Sequence, residues 1–172
     1  MTISKESERK FIVKLPSSWA ALSELFDDLV DIKRIQQSYL KPEGKEPSAR
    51  VRKTIAGLTG DKEVSYDFNQ KFPIETGVHK EKEYSISKSE YEKHLKNTHP
   101  DKAEIEKTRF VFEYNDQTFE LDVFKGRLKG LAILEIELND IDDTVEFPPF
   151  LKSVKEVTDD KRFSNFNLAN KK

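Results

Sequence analysis

Two stretches decide the fold: Phe119-Glu120-Leu121-Asp122-Val123 and Leu134-Glu135-Ile136-Glu137-Leu138. In each, carboxylates alternate with large apolar residues. A strand sends residues i and i+2 to one face and i+1 and i+3 to the other. Each stretch is therefore a strand with one acidic face and one apolar face. The same two-residue period recurs elsewhere: Glu6, Glu8 and Lys10; Arg50 and Arg52; Glu81 and Glu83; Lys107 and Arg109. One sheet face collects ordered charges of both signs, and the other collects Phe, Leu, Ile and Val.

The rest of the chain supplies strands of the same kind. Runs at 3–13, 32–40, 48–56, 62–71, 80–86, 103–114, 117–125 and 131–139 read as strands, punctuated by glycine, proline or short polar links. Tyr114-Asn115-Asp116-Gln117 reads as a tight hairpin. Trp19, Leu22, Leu25, Phe26 and Leu29 fall at helical spacing over 18–30. A second helix runs from a cap at Ser87 or Ser89 to about Asn97, with Tyr91 and Leu95 as its apolar stripe. A third follows Pro148 and Pro149, using Phe150, Leu151 and Val154. Residues from Asn165 onward read as loosely held. Short links between most strands disfavour parallel βαβ units. The pattern predicts an α+β, mainly β chain: an eight-stranded antiparallel barrel closed into a tunnel, its charged face inward and short helices packed outside.

Composition is consistent with this reading. The chain has 172 residues, which suggests one domain over 1–172. Charged residues reach 36%, but 12 Phe and 5 Tyr argue for a packed core rather than disorder. A net charge of −2 provides no global field for nucleic acid. There is no cysteine, which excludes disulfides and thiolate metal sites. No apolar run reaches membrane-spanning length, and Met1 to Lys10 lacks a signal-peptide core, so a cytoplasmic location is expected. A homodimer is compatible with such a barrel, although nothing in the sequence fixes an interface.

The inward charges form a chemical inventory. Glu6, Glu8, Glu81, Glu83, Glu120, Asp122, Glu135 and Glu137 are acidic. Lys10, Arg50, Arg52, Lys71, Lys107 and Arg109 are basic. Charges confined away from water cost several kcal/mol each unless paired, hydrated or liganded. All-oxygen carboxylate clusters suit hard cations such as Mg²⁺ or Mn²⁺. Arg and Lys suit phosphate oxygens. Together they suit a small polyanion held between metal and basic groups. Tyr39 is either a core aromatic or a hydroxyl partner for a cavity charge. His79, His94 and His99 lack metal-ligand spacing and read as surface residues.

With these residues in order, the chain resembles the CYTH superfamily, the triphosphate tunnel metalloenzymes. The resemblance rests on Glu6-x-Glu8-x-Lys10, Gln36-x-x-Tyr39-Leu40, Arg50-x-Arg52, Lys71, Glu81-x-Glu83 and Lys107-x-Arg109. It continues through Glu120-x-Asp122, Glu135-x-Glu137 and Arg162-Phe163-x-Asn165. It is greatest for compact bacterial members similar to inorganic triphosphatases. The resemblance implies a topologically closed tunnel that binds triphosphate and Mg²⁺ or Mn²⁺. It gives the metal role to Glu6, Glu8, Glu120, Asp122, Glu135 and Glu137, with Glu81 and Glu83 in support. It gives phosphate oxygens to Lys10, Arg50, Arg52, Lys71, Arg109 and Arg162, and catalytic influence to Lys107 and Tyr39 alongside Glu6 and Glu8. Many members carry an Arg two residues before the mid-chain Glu-x-Glu; here the position is His79, beside Lys80. The implied reaction is hydrolysis of tripolyphosphate to pyrophosphate and phosphate. The alternatives are a class IV-type adenylate cyclase, a nucleoside or thiamine triphosphatase, and a non-catalytic polyphosphate-binding module.

Overall fold

The computed structural model describes residues 1–16, 27–151 and 154–172. Nine strands occur in these residues: β1 (Thr2–Val13), β2 (Leu29–Tyr39), β3 (Arg50–Ala56), β4 (Glu63–Glu75), β5 (Val78–Ser85), β6 (Ile105–Tyr114), β7 (Gln117–Phe124), β8 (Ala132–Glu137) and β9 (Val154–Glu156). The sheet runs β5-β4-β3-β2-β6-β7-β8-β1, and β1 pairs back onto β5. The first eight strands thus close an antiparallel barrel. Short β9 lies beside β1, against Phe11 to Val13.

β1 makes closure possible by dividing its length between two partners. Thr2 to Ser7 pair with β5, whereas Glu8 to Ile12 pair with β8. At the division, the Glu8 amide donates to the Gly77 carbonyl at 2.9 Å, and the Leu138 amide donates to the Ser7 carbonyl at 2.8 Å. Gly77 has φ of 72°. A Cβ there would sit 2.9 Å from the Glu8 carbonyl oxygen and 2.7 Å from Ile141 Cδ1. Glycine is required both by that backbone angle and by the close passage of β1.

The apolar face looks outward and is covered by loops and helices. Phe11, Phe112, Phe119, Leu121, Leu134 and Ile136 are buried under Phe150 and Leu151, with Val145 and Phe147 packed alongside. Val51, Leu40 and Ala49 are buried with Tyr91 of α1 (Lys88–His94). Ser87 begins α1 with a reciprocal cap: its hydroxyl accepts from the Glu90 amide, and the Glu90 carboxylate accepts from the Ser87 amide. A 3₁₀ turn at Leu95–Asn97 ends this helical region, close to the expected Asn97. Asn115 and Asp116 both have positive φ, 47° and 59°, as a two-residue hairpin of this twist demands.

Three expectations change. The helix over 18–30 falls mainly on 17–26, outside the described residues, and Leu29 opens β2 three residues before the expected strand start. No helix follows Pro148 and Pro149 among the described residues: the Leu151 amide closes one turn onto the Pro148 carbonyl, and Val154 begins β9. Proline has no amide to donate, and the unpaired edge of β1 takes up this segment instead. The C-terminal stretch is not loose. Ser164 caps α2 (Asn165–Leu168), and Ala169 is fully buried with Tyr39, Ile105, Phe124 and Ile133. These residues fill one end of the barrel. No helix among the described residues is long and apolar enough to cross a membrane.

Candidate active site: a bore with two uncompensated walls

Cross-strand pairs place the predicted charges on the inner face in register. Glu6 lies opposite His79, Glu8 opposite Glu137, and Lys10 opposite Glu135. Glu120 lies opposite Glu135, and Arg109 opposite Asp122. Lys71 faces Glu81, Arg50 faces Asn69, and Arg52 faces Asp67. Of these, Glu6, Glu8, Arg50, Arg52, Lys71, Arg109, Glu120, Glu135 and Glu137 line a cavity of about 940 Å³ that opens toward the Asp116–Thr118 hairpin. A second cavity, about 730 Å³, opens between the Pro42–Ser48 loop, the β4–β5 turn and residues 157–166. Both cavities touch Glu8, Arg50, Lys71 and Asn165, so they meet at the middle of the barrel.

Part of the bore is a closed knot of opposite charges. Asp122 is fully buried. Its carboxylate accepts from Arg109 Nε at 2.7 Å, from Arg109 Nη2 at 2.8 Å and from Lys107 Nζ at 2.5 Å. Arg109 also reaches Glu120, and lies 3.5 Å from Glu135. Lys107 further donates to Asn165 Oδ1 at 3.3 Å. Burial pulls the Lys107 ammonium down to about 8, against the upward pull of Asp122. Burial pushes Glu135 up, but Lys10, Arg109 and Lys107 outweigh it and hold the carboxyl well below its ordinary range. Asp122 therefore stays ionised by pairing with two cations.

Two other walls are not balanced. On the basic side, Arg50 Nε and Arg52 Nε are buried donors that find no acceptor among the described residues. Arg50 has one ion pair, 3.8 Å from Glu81. Burial and then the neighbouring Arg50 charge push the Arg52 guanidinium below its usual value. On the acidic side, Glu137 is pushed up by burial and then by Glu6, Glu120 and Glu8. Glu120 is also pushed up by burial, despite Arg109. Buried donors without acceptors ask for an anion, and carboxylates that oppose one another's ionisation ask for a cation. The oxygen-rich acidic wall fits a hard divalent ion.

Two lysines and His79 sit against the acidic wall. Lys10 Nζ lies 3.3 Å from Glu8 and 3.7 Å from Glu135. Lys71 Nζ lies 3.4 Å from Glu8 and 3.7 Å from Glu6. His79 Nε2 is 3.1 Å from Glu6 Oε2. The His79 hydrogen bond is the main cause that takes Glu6 down to about 2; Lys71 adds to it and burial opposes it. Glu81 and Glu83 are tied together by the Asn69 amide, which donates to both. Tyr39 sits opposite Arg50, its ring edge-on to Phe166 at 5.1 Å.

Three sequence-derived site residues are placed differently. Arg162 is not brought to the bore: its side chain is 80% exposed and pairs with Asp160, two residues earlier in the same turn. Tyr39 and Lys107 face different partners, Arg50 and Phe166 for one, Asp122 and Asn165 for the other. His79 was read as surface, yet it is buried inside the barrel. The missed signal was the same two-residue period used for the carboxylates, since His79-x-Glu81-x-Glu83 shares one face. Asp67-x-Asn69-x-Lys71 on β4 carries that signal too. Asn165 had no local signal, because only the turn of α2 brings it to Lys107.

A family model for the CYTH domain matches residues 4–163. The chain belongs to the CYTH domain family. An inorganic triphosphatase of Acetivibrio thermocellus is 31% identical over 97% of this chain and 94% of its own length. An inorganic triphosphatase of Nitrosomonas europaea is 44% identical over a shorter stretch, 38% of this chain and 44% of its own. The crystal structure of the inorganic triphosphatase NE1496 superposes with a TM-score of 0.58 at 28% identity, covering 95% of this chain and 93% of that one. In this CYTH chain Glu6, Glu8 and His79 form an acidic and histidine cluster capable of holding a divalent metal.

Proposed function

We propose that the protein hydrolyses inorganic tripolyphosphate to pyrophosphate and phosphate with a divalent metal, Mg²⁺ or Mn²⁺. One observation supports this above the rest: the buried Arg50 and Arg52 donors without acceptors face the same bore as carboxylates that repel one another. A polyphosphate with its metal would complete both. The curated relatives named as inorganic triphosphatases point the same way.

In this reading Arg50, Arg52 and Lys71 grip phosphate oxygens, with Lys10 and Arg109 at the edge of the grip. Arg offers paired donors that match a phosphate's oxygens. Glu6, Glu8, Glu120, Glu135 and Glu137 hold the metal, which when bound supplies Lewis-acid neutralisation of phosphate charge. Water adds to a terminal phosphorus, the P–O–P bond breaks and pyrophosphate leaves. The fixed cations oppose the charge that grows on the leaving oxygen, and they are already oriented, so little reorganisation is needed. Asp122 positions Lys107 and Arg109, and Glu81 and Glu83 position Arg50 through the Asn69 bridge. Tyr39 supports Arg50 from across the strand pair.

The test is incubation with tripolyphosphate, ATP, GTP and thiamine triphosphate under Mg²⁺ or Mn²⁺. The expected result is phosphate released fastest from tripolyphosphate. Cyclic AMP as the main product from ATP, or no phosphate from any substrate, would overturn the proposal.

A further inference from the structure

We infer that His79 is a nitrogen ligand in a cation site with Glu6 and Glu8, and that this site prefers borderline first-row divalent ions over Mg²⁺. The inference rests on the reading of the bore as a metal site and adds which ion this chain favours.

The placement is built into the barrel. Glu6 and His79 are direct cross-strand partners on β1 and β5, the two strands that close the ring. Glu8 is the next inward residue along β1 after Glu6. One ligand atom from each of the three lies within 4.8 Å of the others. His79 Nε2 and Glu6 Oε2 are 3.1 Å apart. Two adjacent ligands at about 2.1 Å from an octahedral ion stand roughly 3 Å apart, so that pair already has ligand spacing. Glu8, with an oxygen within 4.8 Å of both, is the ligand that must move to close the third bond.

A cation already occupies this location. The Lys71 ammonium bridges Glu6 at 3.7 Å and Glu8 at 3.4 Å, while the imidazole holds Glu6 from the other side. Lys71 is long and part-exposed, so its head can swing from the carboxylates toward the Arg50 side when a metal arrives. His79 has no such freedom, because it is buried and held at Glu6. Its contact with the acidic wall also argues against a role as a phosphate-binding cation beside Arg50 and Arg52.

The ligand set decides the metal. Mg²⁺ is served best by oxygen and water, whereas imidazole raises affinity along the series from Mn²⁺ through Co²⁺ to Ni²⁺. A bore with carboxylates alone would lack this bias.

The experiment uses the full chain with Mn²⁺ or Co²⁺ and no phosphate compound. Pulsed electron paramagnetic resonance of bound Mn²⁺ should show coupling to one ¹⁴N nucleus, lost in His79→Gln. Titration calorimetry should show Co²⁺ affinity falling about 10-fold or more in that variant, and Mg²⁺ affinity changing less than about threefold. Wild-type Mn²⁺ bound without nitrogen coupling overturns the inference even if no variant folds. So does coupling that persists in His79→Gln, or a failure to bind Mn²⁺ at all. Nitrogen coupling without tripolyphosphate hydrolysis would leave this site standing and remove the proposed activity instead.

Discussion

The Lys107–Arg109–Asp122 knot and the Arg50–Arg52 pair use the same residue types on the same inner face, yet they are opposite in state. In the knot, both oxygens of Asp122 receive charged donors, and the group is sealed from water. At the pair, two guanidinium nitrogens have no acceptor among the described residues. The knot is complete without a ligand and so serves the scaffold first, with Arg109 alone at the edge of the proposed phosphate grip. The pair is incomplete, and the proposed function assigns it to the phosphate oxygens for that reason. Charge in a protein interior is informative mainly through what it lacks.

Breaking the knot should give the largest effect on stability. Asp122→Ala leaves Lys107 and Arg109 buried without their shared partner, which costs about 3–5 kcal/mol of folding stability. Denaturant titration measures it. A loss under about 1 kcal/mol would mean that the knot is not the scaffold. Arg52→Ala, by contrast, should cost about 1 kcal/mol of stability or less, while raising KM for tripolyphosphate about 10- to 100-fold through the loss of charged hydrogen bonds. If the two variants lose stability equally, the comparison fails.

Smaller changes sharpen the acidic side. Glu137→Gln removes a carboxylate that Glu6, Glu120 and Glu8 already oppose. Metal affinity should fall about 10-fold, while metal-free stability is retained or slightly improved. Calorimetric metal titration beside a melting curve separates the two. The gentlest test is pH. Glu6 is depressed in the folded state to about 2 from the ordinary 4.5. Its stabilising contribution is therefore full above 4.5 and is lost as pH falls toward 2. Metal-free wild type should lose stability across that window more steeply than Glu6→Gln. Parallel curves would show that the His79 and Lys71 contacts do not act on folding.

The barrel was legible because its signal is local. Glu120-x-Asp122 and Glu135-x-Glu137 between apolar residues specify a two-faced strand without knowledge of any partner. Which face had to be wet then followed, whereas the pairing register is seen only in the structure. What escaped was set by tertiary context. His79 shares the two-residue period of Glu81 and Glu83, but it lies only two residues after β4–β5 turn residue Gly77, where the start of a strand is hard to place from sequence. Its partner across the strand pair, Glu6, fixes its direction. Pro148-Pro149-Phe150-Leu151 looked like the start of a helix, but the open edge of β1 offered Val154 a strand pairing. Asn165 and Ala169 reach the barrel through the turn at Ser164, which no pattern in the tail announces. Arg162 shows the reverse case: a residue with the right chemistry is held outside by its own neighbour Asp160.

The split pairing of β1 has a consequence for how the chain is made. Its first half waits for β5 and its second half for β8, so Glu8 cannot meet Glu137 until nearly the whole barrel has been synthesised. Until then Phe11 and Val13 have no covering partners, and the nascent sheet keeps two free edges. Pairings so distant in sequence close slowly, and such edges attract other chains. The ribosome-bound protein is therefore at greatest risk of aggregation before its last long strand emerges; that strand closes the ring, and the residues behind it, Phe147, Phe150 and Leu151, then cover the outer apolar face.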